Sequence, residues 1–119
     1  MSHISRDAGE PRFRTIVRLP TFERSAQGLL SEQEQRYLEL TLALHPRAGP
    51  VVPGTGGVRK TRVPRSGRGK RGGARVIYDY HAASERVFLI LAYAKTEQDA
   101  LSMDEKKQMR RLIRELEAE

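Results

Sequence analysis

Between Leu40 and Tyr78 the chain carries nine Lys or Arg residues and not one Asp or Glu. The cations stand in a frame of glycine, proline and β-branched residues: Pro53-Gly54-Thr55-Gly56-Gly57-Val58-Arg59-Lys60-Thr61-Arg62, then Gly67-Arg68-Gly69-Lys70-Arg71-Gly72-Gly73-Ala74-Arg75-Val76-Ile77-Tyr78. Glycine and proline at this density punctuate a chain into loops and short strands. This one third of the molecule outweighs the whole formal net charge of +7. A field so one-sided attracts polyanions, and nucleic acid is the commonest polyanion a protein meets. A merely solvated basic face would explain scattered lysines better than arginines woven between glycines and β-branched residues.

A chain of 119 residues has room for one domain and one modest core. We expect a frayed leader over 1–12 and a single domain over 13–119. The leader has charges and no apolar stretch, so it does not read as a signal peptide. The longest apolar run, Val87 to Ala94, is far short of a membrane span. Without cysteine there is no disulfide, no thiolate zinc site and no thiol catalysis, a composition that suits the reducing cytoplasm.

Local patterns give the element order. Phe13 to Leu19 alternates as a strand with one buried face, ended by Pro20. Thr21 and Phe22 open a short segment, a turn of helix, through Gly28. Ser31 and Glu34 form a capping box at the start of a helix whose expected apolar face is Tyr37, Leu38, Leu40, Leu42 and Leu44. His45-Pro46 stops it. A loop rich in Pro and Gly leads to a strand over Val58–Val63. A very basic loop, Arg65 to Gly73, leads to a strand over Ala74–Tyr80. Val87 to Ala94 is apolar on both faces and reads as a central strand. Ser102 and Glu105 repeat the capping box, and Met109, Leu112, Ile113 and Leu116 follow at helical spacing. The result is a compact α+β domain in which the last three strands pair antiparallel and the helices pack on one face of the sheet.

Several chemistries are disfavoured. Gly54 to Thr61 nearly spells a nucleotide-binding P-loop, but Arg59 stands where glycine must precede the lysine, and a strand follows where a helix is needed. His3, His45 and His81 do not cluster, so no metal site is expected. The acids avoid the basic segment, which weakens paired-carboxylate and two-metal chemistry. A site made of cations and backbone amides instead suits a transition state whose charge grows on phosphate oxygens. Lys60 and Arg62, two apart on a strand, point to one face. Arg75 on the next strand and Lys95 at the end of the last can join them there.

The combined pattern resembles the RelE/ParE toxin superfamily, most closely its HigB-like branch. The matching words are Gly28-Leu29-Leu30-Ser31-Glu32-Gln33-Glu34, the two glycine-framed basic words quoted above, and Tyr93-Ala94-Lys95-Thr96-Glu97, with a closing helix introduced by Leu101-Ser102. The resemblance implies a RelE-like fold and a toxin of a type II toxin–antitoxin pair. Such a toxin associates with the ribosome and cuts messenger RNA without a metal or other cofactor, the 2′-hydroxyl attacking the neighbouring phosphodiester. It implies a cognate antitoxin of the helix-turn-helix type, no membrane partner and a cytoplasmic location. By position, Lys60 and Arg62 would be general base or phosphate ligands, Arg75 would stabilise the transition state, and Lys95 would be the fourth catalytic cation. Arg59, Arg65, Arg68, Lys70 and Arg71 are the expected RNA-binding residues. Two positions depart from the ribonuclease members: Leu101 lies near the place of a C-terminal tyrosine, and Thr96 replaces an arginine. The alternatives are a non-catalytic toxin of this fold that blocks a partner such as DNA gyrase, and a basic RNA-binding module without toxicity.

Overall fold

A computed structural model describes residues 12–64, 73–98 and 100–118. Along the chain run β1 (Thr15–Arg18), α1 (Pro20–Ala26), α2 (Glu32–Leu44), β2 (Arg59–Val63), β3 (Ala74–His81), β4 (Arg86–Ala94) and α3 (Met103–Glu117). Most of the expected leader, residues 1–11, lies outside the described residues.

The two longer helices begin where the sequence marks them. Ser31 Oγ accepts from the Glu34 amide at 3.0 Å and the Glu34 carboxylate accepts from the Ser31 amide at 2.8 Å. Ser102 and Glu105 repeat the exchange at 3.1 and 2.8 Å. Each pair satisfies amides that a helix leaves orphaned. Pro20 both ends β1 and opens α1, because a residue lacking an N–H loses nothing in a first helical turn. That helix seats Phe22 in full burial against β4.

The four strands form one mixed sheet in the order β1-β4-β3-β2. β2–β3 and β3–β4 are antiparallel, as expected. β1 joins the far edge in parallel, Thr15 opposite Arg86. β4 is therefore central, which its uncharged run from Val87 to Ala94 requires. A bulge at Ile77/Tyr78 shifts the β3–β4 register by one residue.

Two expectations fail here. The helices do not share one face. Val76 and Tyr78 pack with Phe22, Leu38, Leu42 and Leu89 on the side of α1 and α2, while Ile77 and Ile90 pack with Met109 and Ile113 of α3. Neighbours on a strand point to opposite faces, so α3 covers the other side. Nor is the apolar face of α2 as wide as its sequence. Leu38, Leu42 and Ala43 are buried, but Tyr37 and Leu40 are more than half exposed, as is Phe13. A helix can press only one stripe against a sheet, and β1 offers α2 a narrow contact.

Asp79 is buried in β3 at 7% exposure. Burial raises its carboxyl pKa above the ordinary 3.8, with the Glu117 carboxylate adding to the effect. His81, Arg59 and the hydrogen bond from the Tyr80 amide pull it down. A folded pKa above the unfolded one means a penalty that is in force at neutral pH and relieved as pH falls through the raised value. Asp79→Asn is accordingly expected to raise Tm at pH 7 by an amount on the order of a few °C. The gain should shrink toward pH 4, as melts at the two pH values would show.

Candidate active site

The antiparallel register decides which cations meet. Lys60 lies opposite Ile77 and Arg62 opposite Arg75. Directly opposed residues share a sheet face, so Lys60, Arg62 and Arg75 project together from the side that also carries α3. With Thr61 and residues 48–50 they line one open pocket of about 300 Å3. No carboxylate is in that lining. Opposed like charges destabilise a sheet by up to about 1 kcal/mol a pair. Concentrating three cations in one pocket makes physical sense when an anion binds between them.

One wall of the pocket is a strap, Pro46 to Pro50, laid along the outer edge of β2. The Lys60 amide donates to Pro50 O at 3.0 Å, and the Val52 amide donates to Val58 O at 2.8 Å. Tyr78 anchors the strap from beneath. Its hydroxyl donates to Pro46 O at 2.8 Å and accepts from the Gly49 amide at 3.0 Å. Burial raises the Tyr78 pKa above 10, against the opposing pull of the Gly49 hydrogen bond and Arg59. The phenol is thus neutral and able to donate throughout the physiological range. Gly49 fits so closely that a Cβ there would stand 2.6 Å from Lys60 O.

The remaining expected site residues disperse. Arg59 points to the opposite face from Lys60, and its guanidinium donates to Gly49 O at 2.7 Å and Arg47 O at 3.3 Å. Lys95 is exposed just beyond β4, its amide donating to Gly73 O at 3.2 Å, and it does not line the pocket. Arg65, Arg68, Lys70 and Arg71 lie outside the described residues. The P-loop-like word is a glycine turn that leads into a strand, as expected. Gly54, Gly56 and Gly57 take positive φ, and the buried Thr55 hydroxyl donates to Val52 O at 2.6 Å. The turn is clasped by α3 through a hydrogen bond from Arg110 to Gly54 O.

The family model described as RelE toxin of RelE / RelB toxin-antitoxin system matches residues 53–118, from the glycine turn through α3. The chain belongs to the RelE toxin family. It is a toxin of a toxin–antitoxin system that acts as a ribosome-dependent messenger RNA endoribonuclease. Its fold agrees with the solved structure of Escherichia coli toxin RelE, a double arginine-to-alanine mutant in the free state. The TM-score is 0.53 at 16% identity, over 81% of this chain and 96% of that one. The match speaks for the RelE family as a whole and does not single out its HigB-like branch. A RelE toxin is paired with a cognate antitoxin and acts on the ribosome and its message. No helix among the described residues is long and apolar enough to cross a membrane.

Sequence reasoning missed three residues that build or anchor the strap walling this pocket. Tyr78 reads as a core aromatic, yet its hydroxyl fixes the pocket wall. Gly49 reads as one of many loop glycines. Arg47 belongs to the acid-free segment but stands apart from the glycine-framed words, so no motif selected it.

Proposed function

We propose that the Lys60–Arg62–Arg75 pocket cleaves messenger RNA by transesterification without a metal. The single observation that supports this is the convergence of three cations around an open pocket whose lining contains no carboxylate. The 2′-oxygen attacks the adjacent phosphorus and its proton passes to Lys60, which must enter the step as the neutral amine. Arg62 and Arg75 hold the non-bridging oxygens as their negative charge grows. The bond to the 5′-oxygen breaks, and that oxygen takes a proton from solvent. The products are a 2′,3′-cyclic phosphate and a free 5′-hydroxyl, so atoms and protons balance.

The antitoxin, in this reading, is a helix-turn-helix protein with an acidic segment that covers the pocket, since opposite charge speeds capture. The pairing takes place in the cytoplasm. The loop carrying Arg65, Arg68, Lys70 and Arg71 is, in this reading, a salt-sensitive contact to RNA phosphates.

Primer extension on messages after induced expression tests the reaction. The Lys60→Ala/Arg62→Ala double variant is expected to leave no cleavage ends, while the wild type leaves them at discrete sites. Removing magnesium is expected to spare the chemical step, provided ribosome integrity is controlled separately. Full cleavage by the double variant at matched expression would sink the assignment.

A further inference from the structure

The strap has a pocket on each of its two sides. Beyond Ala48, which lines both, lies a second pocket of about 500 Å3 formed by Arg14, Leu44, His45, Pro46, Arg47 and Ala48. Its lining, like that of the first, contains no acid. Two guanidiniums lie over the Tyr80 ring, Arg47 at 5.0 Å from the ring centroid and Arg14 at 5.9 Å. Arg14 is committed to the protein. It donates to Leu44 O at 3.3 Å and Arg12 O at 3.2 Å, and its Nε is 3.8 Å from the Glu85 carboxylate. Arg47 is exposed, and its side chain makes no hydrogen bond or ion pair among the described residues. The Tyr80 ring lies under it. A guanidinium stacked on a ring in this way offers its outer face to solvent as a flat cationic surface.

We propose that this second pocket is a nucleotide subsite for the same RNA strand that is cut in the first. The strand crosses the strap at Ala48, and the nucleotide flanking the scissile one rests in the second pocket. Its base stacks on Arg47, and its phosphate lies toward the Arg14 side of the pocket. Single-stranded RNA is commonly held in this manner, with bases on aromatic or guanidinium planes and backbone in a cationic groove. Arg47 is then a binding residue rather than a catalytic one. The inference rests on the ribonuclease reading of the Lys60 pocket and adds to it where the strand runs.

Single-turnover cleavage on purified ribosomes programmed with a defined message tests it. The full-length toxin is compared with Arg47→Ala, Arg47→Lys and Arg75→Ala. Arg47→Ala is expected to raise the half-saturating toxin concentration roughly tenfold, the scale of one stacked base, with the rate at saturation unchanged. Arg47→Lys, which keeps the charge and loses the plane, should behave like the alanine variant. Arg75→Ala should instead lower the saturated rate. On messages made abasic at the nucleotide on either side of the cut, one of the two should abolish the difference between wild type and Arg47→Ala. Unchanged half-saturation in Arg47→Ala, or a penalty that persists on both abasic messages, would overturn the subsite while leaving the catalytic pocket standing. Weakening confined to the antitoxin complex would overturn it as well, giving the pocket to the antitoxin. A wild type that leaves the programmed message intact would bring down the ribonuclease reading and the subsite together.

Discussion

Replacing Arg75 by alanine is expected to abolish growth arrest and to leave the melting temperature unchanged or slightly higher. Arg75 is half-buried in β3 and faces Arg62 across the β2–β3 pair. Among the described residues the one hydrogen bond of its side chain is a long one, 3.4 Å to the neighbouring carbonyl of Ala74, and it forms no salt bridge there. No ion pair among the described residues depends on its charge, and removing it relieves repulsion from Arg62. Its value must lie with a ligand. Loss of a donor aimed at developing transition-state charge typically lowers the rate by about 100-fold or more. Arg75→Lys should recover only part of this, because an ammonium cannot hold two phosphate oxygens as a guanidinium does. Growth curves at matched expression, with thermal melts of the same proteins, check both halves. Normal toxicity, or a collapse in stability, would show that Arg75 belongs to the scaffold.

The second large effect is expected at a residue with no side chain. In Gly49→Ala the new Cβ would meet Lys60 O at 2.6 Å, Lys60 C at 2.9 Å and Tyr78 Cε1 at 3.1 Å. The first two are backbone atoms of β2, which cannot rotate away. The strap must lift, straining the bond from the Lys60 amide to Pro50 O and the bond from the Gly49 amide to Tyr78. Overpacking of this kind costs about 1–3 kcal/mol, and each weakened hydrogen bond adds about 1 kcal/mol. A fall in Tm of roughly 10 °C or more is expected. Tyr78→Phe should destabilise by about 1–3 kcal/mol through a different route, leaving Pro46 O and the Gly49 amide buried without their partner. Both variants should lose activity more steeply than stability, since the strap is a wall of the pocket. Melting of Gly49→Ala within a degree of wild type would contradict the packing described for the strap.

What could be read in the residues was what is decided locally. The serine–glutamate boxes at Ser31 and Ser102 close within four residues, and both stand where the sequence puts them. The central place of β4 was legible because no polar side chain interrupts it. The pairing of Lys60 with Arg62 on one face followed from strand periodicity alone. What escaped is set by distant partners. An over-wide apolar arc on α2 does not say which stripe meets the sheet, so Tyr37 and Leu40 were misplaced. The parallel edge strand and the far side taken by α3 depend on contacts across most of the chain. Arg59 resembles Lys60 in every sequence property, yet the pleat turns it to the strap carbonyls. The strap itself exists because one phenol in β3 reaches back across 32 positions to Pro46.

The place of β4 between β1 and β3 also orders events in time. Thr15 finds its partner in Arg86, 71 positions later by subtraction of the two numbers. β1 is thus left without its sheet partner until β4, the last strand among the described residues, is synthesised. Long-range closure of this kind slows folding, because chain entropy is lost before the contact is gained. Arg75 stands on β3, whose outer partner β2 precedes it but whose inner partner β4 follows it. A sheet able to turn against ribosomes is therefore complete only once β4 has emerged from the ribosome that makes it.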